Sequence, residues 1–151
     1  QRIASRVIIF PGPWNLDIWL QIARPGAIGC WYKPGSPHGT NSSLVQYTEW
    51  EPWLVYGGGI LGGSNVIRAT VKRQDERVTG KHPCPKPLPL MQAIIGKIKG
   101  GSILDPFMGS GTTGVAALLA GKRFIGIEVD QEYHRNAVFR LKRVSYEKAT
   151  P

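Results

Sequence analysis

The segment Gly109-Ser-Gly-Thr-Thr-Gly114 constrains this chain more than any other. It has the form G-x-G-x-x-G and lies between a strand-like run, Ser102-Ile-Leu-Asp105, and a run of small apolar residues from Thr113 to Ala120 that Gly121 closes. Glycines at such a junction let the backbone approach a ligand and let the following helix pack closely on the strand. Arg123-Phe-Ile-Gly-Ile-Glu128 reads as a second strand ending in a carboxylate. Asp130 to Lys142 then carries Tyr133, Ala137 and Leu141 on one face, the pattern of a charged amphipathic helix. Strand, loop, helix, strand and helix in this order predict a parallel pair joined by a right-handed crossover. An acid at the end of the second strand stands where a ribose hydroxyl pair is usually held, so the unit reads as a site for a nucleoside-containing cofactor.

Residue types within the loop narrow the cofactor. A nucleoside-triphosphate loop needs Gly-Lys-Ser/Thr, and here Val115 follows Gly114. A dinucleotide remains the serious rival. Asp105 discriminates, because it ends the first strand at the mouth of the loop. A carboxylate there opposes a pyrophosphate and attracts a cationic amino group or a sulfonium by direct Coulomb interaction. S-adenosylmethionine carries both of those charges, and a ribose for Glu128.

Elsewhere the sequence is that of one α/β domain of ordinary size, with 151 residues of which 42% are hydrophobic. Arg6–Phe10 predicts a strand, Asn15–Ala23 a short helix, and Ala27–Lys33 and Tyr47–Tyr56 two strands of an antiparallel pair. Residues 57–81 are glycine-rich and then basic, and predict an extended arm or insertion in which Val66–Val71 is the only strand-like stretch. Leu88, Met91, Ile94, Ile95 and Ile98 mark an amphipathic helix entered through Pro83, Pro85, Pro87 and Pro89. No apolar run is long enough to span a membrane, and no signal-peptide pattern opens the sequence. Cys30 and Cys84 stand far apart without a C-x-x-C, which argues against a zinc site or a disulfide framework; no metal is expected, and a reducing cytoplasmic setting is. Net charge is +9, and from Arg68 to Lys86 six cations accompany two acids, a balance suited to a polyanion such as nucleic acid.

Asp105-Pro-Phe-Met-Gly-Ser-Gly-Thr-Thr-Gly114 resembles the cofactor motif of the permuted (beta-class) DNA amino-methyltransferases, which act on adenine N6 or cytosine N4. His82-Pro-Cys-Pro-Lys-Pro-Leu88 resembles the segment that precedes this loop in that class, with Cys84-Pro85 in place of the usual Thr-Gln. Phe124–Glu128 with Tyr133 resembles the second cofactor strand and its helix, and Cys30–Pro34 and Trp50–Tyr56 resemble the antiparallel strands at the far edge of the sheet. The resemblance implies a Rossmann-like S-adenosylmethionine-dependent methyltransferase fold, a mixed sheet with an antiparallel edge strand, incomplete in this chain. It implies a single methyltransferase domain over 1–151, with far-edge strands in 1–56, a short basic DNA-reading insertion in 57–81 and the cofactor-binding βαβα unit in 82–151. Asp105, Pro106, Phe107, Gly109, Ser110, Gly111 and Thr112 would line the methionine part of the cofactor, Glu128 would hold the ribose, and Lys86 and His82 would close the pocket. Arg68, Lys72, Arg73 and Arg77 would contact phosphates of double-stranded DNA. The implied setting is a bacterial or phage-infected cytoplasm, with restriction–modification among the roles.

The family's catalytic motif, Asp/Asn/Ser-Pro-Pro followed by an aromatic residue, holds the exocyclic amine of a flipped-out base. It does not occur among the 151 residues. By resemblance it would precede Gln1, at the end of a strand lying between the one that ends at Asp105 and the one at Arg6–Phe10. The expectation is therefore that an upstream segment or a second chain completes the sheet. A nicotinamide-dependent dehydrogenase and an inactive cofactor- or DNA-binding remnant are the alternatives.

Overall fold

The computed structural model describes residues 4–34, 49–58, 62–70 and 85–149. They belong to two compact units, residues 1–70 and 71–151. No helix among the described residues is long and apolar enough to cross a membrane.

The first unit is built on a four-stranded mixed sheet. Its strands are β1 (Val7–Ile9), β2 (Ala27–Tyr32), β3 (Trp50–Tyr56) and β4 (Val66–Arg68), in the order β1-β3-β2-β4. Both β1 and β2 run antiparallel to β3, which bears out the expected antiparallel pair, and β4 runs parallel to β2. The strand-like Val66–Arg68 thus belongs to the sheet and not to a free arm. Buried Ile67 holds it down, and Cys30 N–H donates to the Asn65 carbonyl at 2.8 Å while Trp31 Nε1–H donates to the Ala69 carbonyl at 2.8 Å. A single turn at Pro13–Asn15 leads into α1 (Leu16–Ile22), whose Trp19 carbonyl accepts from the Tyr56 hydroxyl at 3.0 Å.

Strand β3 is central, and its middle is one continuous buried run through Pro52, Trp53, Leu54 and Val55. A proline inside a central strand removes a ladder donor. Here the cost is avoided by register. Pro52 lies opposite Cys30, whose N–H points to the β4 side, so the proline nitrogen faces away from β2; on that side the β1 pairing ends at Leu54. Trp53 lies opposite Gly29, and its indole occupies the space that a Cβ on Gly29 would fill. The glycine and the tryptophan together make one core element.

The second unit carries β5 (Ser102–Asp105) and β6 (Arg123–Gly126), paired in parallel from Ser102–Arg123 to Asp105–Gly126, as the βαβα pattern predicts. Its helices are α2 (Leu88–Gly96), α3 (Thr112–Leu119) and α4 (Gln131–Ala149). Helix α3 packs against α2 and α4 through small residues, and Leu90, Ile94, Ile95, Val115, Ala116, Ala117 and Ala137 form the core. The ammonium of Lys122 donates to the carbonyls of Ile98 and Gly100 at 2.9 and 2.7 Å, tying off the chain that leaves α2. Helix α4 runs seven residues beyond the predicted Lys142. Its last turns are polar and so lack an apolar stripe, but nothing in them breaks a helix, and Arg143 and Glu147 pair at 3.5 Å one turn apart. On the sheet face away from the core, Leu104, Ile125 and Ile127 are exposed side by side.

The substitution Gly29→Ala drives a methyl group into the Trp53 ring. The expected cost is about 1–3 kcal/mol, as for overpacking elsewhere, read as a lower urea midpoint with an unchanged m-value.

Candidate cofactor site at the glycine-rich loop

The chain leaves β5 through a side-chain turn. Asp105 Oδ1 accepts from Phe107 N–H at 3.0 Å, which bends the backbone out of the strand and leaves Phe107 86% exposed. The parallel ladder nevertheless continues past both strands: Ile127 N–H donates to the Asp105 carbonyl and Met108 N–H to the Ile127 carbonyl, each at 2.9 Å. Gly111 then starts α3 in the left-handed region at φ +76°, where a Cβ would lie 3.0 Å from that of Ala137, so both conformation and space require glycine. No side chain caps α3. One turn on, a Cβ at Gly114 would meet Phe124 at 2.5 Å and Leu141 at 2.7 Å, the close helix-to-strand contact expected of the third glycine.

Glu128 joins the two halves of the site. Its Oε2 accepts from Gly109 N–H at 2.8 Å and its Oε1 from Asp130 N–H at 3.0 Å. The hydrogen bond from Asp130 N–H, with smaller help from the Gly109 and Val129 amides, holds this carboxyl below the ordinary glutamate range, against desolvation and the nearby Asp130 charge. Asp130 in turn caps α4, its Oδ1 accepting from Glu132 and Tyr133 N–H at 2.9 Å each. An open cleft of about 390 Å³ lies against Glu128, lined also by Gln131, His134 and Arg135. Val129, next to Glu128, is 97% exposed.

Asp105, Pro106, Phe107, Gly109, Ser110, Gly111, Thr112 and Glu128 are all found at one end of the parallel pair, around the loop and the β6 exit. The side chains of Ser110 and Thr112 are buried and turn inward, with their hydroxyls 3.2 Å apart. Lys86, half-buried, precedes Pro87 at the entry to α2. Arg68 is exposed on β4 of the first unit. His82, Lys72, Arg73, Arg77 and Cys84 lie outside the described residues. Burial pushes the Cys30 thiol up, away from thiolate chemistry. Among the described residues no His, Cys, Asp and Glu cluster could hold a metal.

Sequence reasoning missed Arg140, a buried cation whose Nη1 donates to the Ser110 carbonyl at 3.1 Å and to Thr112 Oγ1 at 3.0 Å. A signal existed. Arg140 follows Tyr133 and Ala137 at helical spacing, so a charge sits on the apolar face of α4.

The Glu128 bridge carries a pH dependence. A carboxyl whose folded pKa is depressed contributes stability that is complete above its unfolded value, about 4.3 for glutamate, and is lost as pH falls through the lower folded value. The amide resonances of Gly109 and Asp130 should therefore titrate together only below that point, in an acid NMR titration, and Glu128→Gln should abolish the shared step.

The DNA methylase family matches residues 12–139 of this chain. The type II methyltransferase M2.MboI of Moraxella bovis is 44% identical over 141 residues, covering 80% of this chain and 49% of its own length. M2.DpnII of Streptococcus pneumoniae, also a type II methyltransferase, is 45% identical over 80 residues, covering 52% of this chain and 30% of its own. The chain thus spans about half or less of the length of these curated relatives. The crystal structure of M1.HpyAVI in complex with SAM shares the fold with a TM-score of 0.70 at 26% identity, covering 90% of this chain and 74% of that one. The expected Rossmann-like methyltransferase fold with a mixed sheet is borne out, and the chain belongs to the DNA methylase family.

Proposed function

We propose that this chain is the cofactor-binding part of a DNA methyltransferase, one that moves a methyl group from S-adenosylmethionine to an exocyclic amine of a DNA base, adenine N6 first and cytosine N4 second. One observation carries the reading: two carboxylates, Asp105 and Glu128, end adjacent parallel strands on either side of a glycine loop that Glu128 itself holds in place. Two negative charges there suit a ligand with a cationic amino group and a sulfonium and oppose a pyrophosphate. Glu128 Oε2 accepts from Gly109 N–H and Oε1 from Asp130 N–H, and a carboxylate has further acceptor sites for a ribose hydroxyl. Exposed Phe107 and Val129 offer apolar surface beside the two carboxylates for an adenine ring. His82 and Lys86 would close the pocket from the segment before α2.

When bound, the cofactor supplies a methyl group already activated as a sulfonium. The part of this chain is to hold and orient it. Asp105 would hold the amino end, the 109–112 backbone the methionine part and Glu128 the ribose, which together would orient the cofactor for transfer. The groups that hold the flipped base come from an upstream segment or a second chain within the same catalytic domain. Support for such a segment is that, among the described residues, β1 and β5 each pair on one side only and Leu104, Ile125 and Ile127 are exposed, whereas parallel strands are ordinarily covered on both faces. Arg68, Lys72, Arg73 and Arg77 are assigned to phosphates of double-stranded DNA, in line with the +9 charge. The type II methyltransferase relatives favour a restriction–modification setting in a bacterial or phage-infected cytoplasm.

Calorimetric titration tests the cofactor assignment. S-adenosylmethionine and S-adenosylhomocysteine should bind and NAD should not. Asp105→Ala should weaken S-adenosylmethionine by about tenfold or more, the worth of a charge-assisted hydrogen bond. Unchanged affinity overturns the role of Asp105, and NAD binding in place of S-adenosylmethionine overturns the cofactor.

A further inference from the structure

We propose that Arg140 is a positioning residue for cofactor binding, one that braces the glycine loop from α4 and draws oxygen atoms off its ligand side. The inference rests on the reading of the loop as the S-adenosylmethionine site.

Arg140 is only 9% exposed, and a buried guanidinium is costly and is kept where its donors find good acceptors. Nη1 of Arg140 spends its bonds on the loop: the Ser110 carbonyl, 30 residues away, and the Thr112 hydroxyl, 28 residues away. These two residues flank Gly111, the left-handed position at which the loop becomes α3. Arg140 therefore grips both sides of the pivot. The Ser110 hydroxyl joins the same cluster through Thr112 Oγ1 at 3.2 Å. One carbonyl and two hydroxyl oxygens are thereby turned into the interior. Left on the ligand side, the Ser110 carbonyl, which can only accept, would face the carboxylate of the cofactor's methionine part and repel it. Because a guanidinium stays protonated at any physiological pH, the brace is permanent.

The test measures S-adenosylmethionine affinity by calorimetry, and melting temperature, for the full chain and its variants. Arg140→Met keeps a long side chain but no donor, and should weaken the cofactor by about tenfold or more, as expected when buried acceptors lose their partner. Arg140→Lys, which restores one charged donor, should recover part of that loss. Thr112→Val removes one acceptor at nearly constant volume and should weaken binding several-fold. Combined with Arg140→Met it should add less than its separate effect, because the two act through one contact. Variants that melt lower but bind the cofactor as tightly as the parent overturn the proposal, since Arg140 would then serve the fold alone. Should Arg140→Met not fold, Thr112→Val decides: unchanged affinity overturns the proposal and weakened affinity supports it. A parent chain that binds neither S-adenosylmethionine nor S-adenosylhomocysteine overturns the cofactor reading itself, an outcome distinct from all of these.

Discussion

Where a parallel strand pair runs out, its last peptide groups lose their partners, and in this protein a carboxylate takes over. The ladder between β5 and β6 reaches Met108 and Ile127. Just beyond, Glu128 accepts from Gly109 on the loop and from Asp130 at the entry to α4. The side chain acts as one more rung, bonded to both outgoing segments. Three features follow from it. The loop is held against the β6 exit, the negative charge of the site is fixed at the strand ends, and α4 starts where Asp130 can cap it. From that start, helical geometry brings Arg140 back to the far side of the same loop. The loop is thus held from two directions by opposite charges, an acid at Gly109 and a base at Ser110 and Thr112. A basic chain thus sets two carboxylates, Asp105 and Glu128, around the loop at the strand exits and a buried arginine behind the loop backbone.

The first unit solves a different problem with the same economy of backbone groups. Strand β3 must be apolar on both faces to sit in the middle of the sheet, and it tolerates Pro52 because register points the missing donor to where the β1 pairing has already ended. The adjacent Trp53 fills the space over Gly29. Proline and glycine are both poorly suited to strands, and here register accommodates Pro52 while the Trp53 ring covers Gly29.

Features set by neighbouring residues could be read from the sequence. The strand at Ser102–Asp105, the glycine loop, the helix after it and the strand ending near Glu128 depend on local periodicity and on glycine stereochemistry, and all were found within a few residues of their expected limits. Features set by distant pairing could not. Val66–Arg68 lies in a stretch that reads as strand-like, but its place in the sheet is set only by its pairing with β2. The inward turn of the Ser110 and Thr112 hydroxyls depends on a guanidinium about thirty residues later. Glu128 was expected to serve a ligand, and its second task of bonding the protein's own backbone is visible only when Gly109 and Asp130 are placed beside it.

The crowding at Gly114 has a consequence for sequence change within the family. The missing side chain there is matched by the Phe124 ring and by the Leu141 side chain, which occupy the space it would need. The three positions share one fixed volume, because a close-packed interior neither yields to an added methyl group nor leaves the gap of a lost one unfilled without cost. A small residue at 114 permits an aromatic ring on β6, and a larger one demands a smaller neighbour at 124 or 141. Across homologous chains these positions should therefore change in concert, with the sum of their side-chain volumes held steadier than the identity of any one of them.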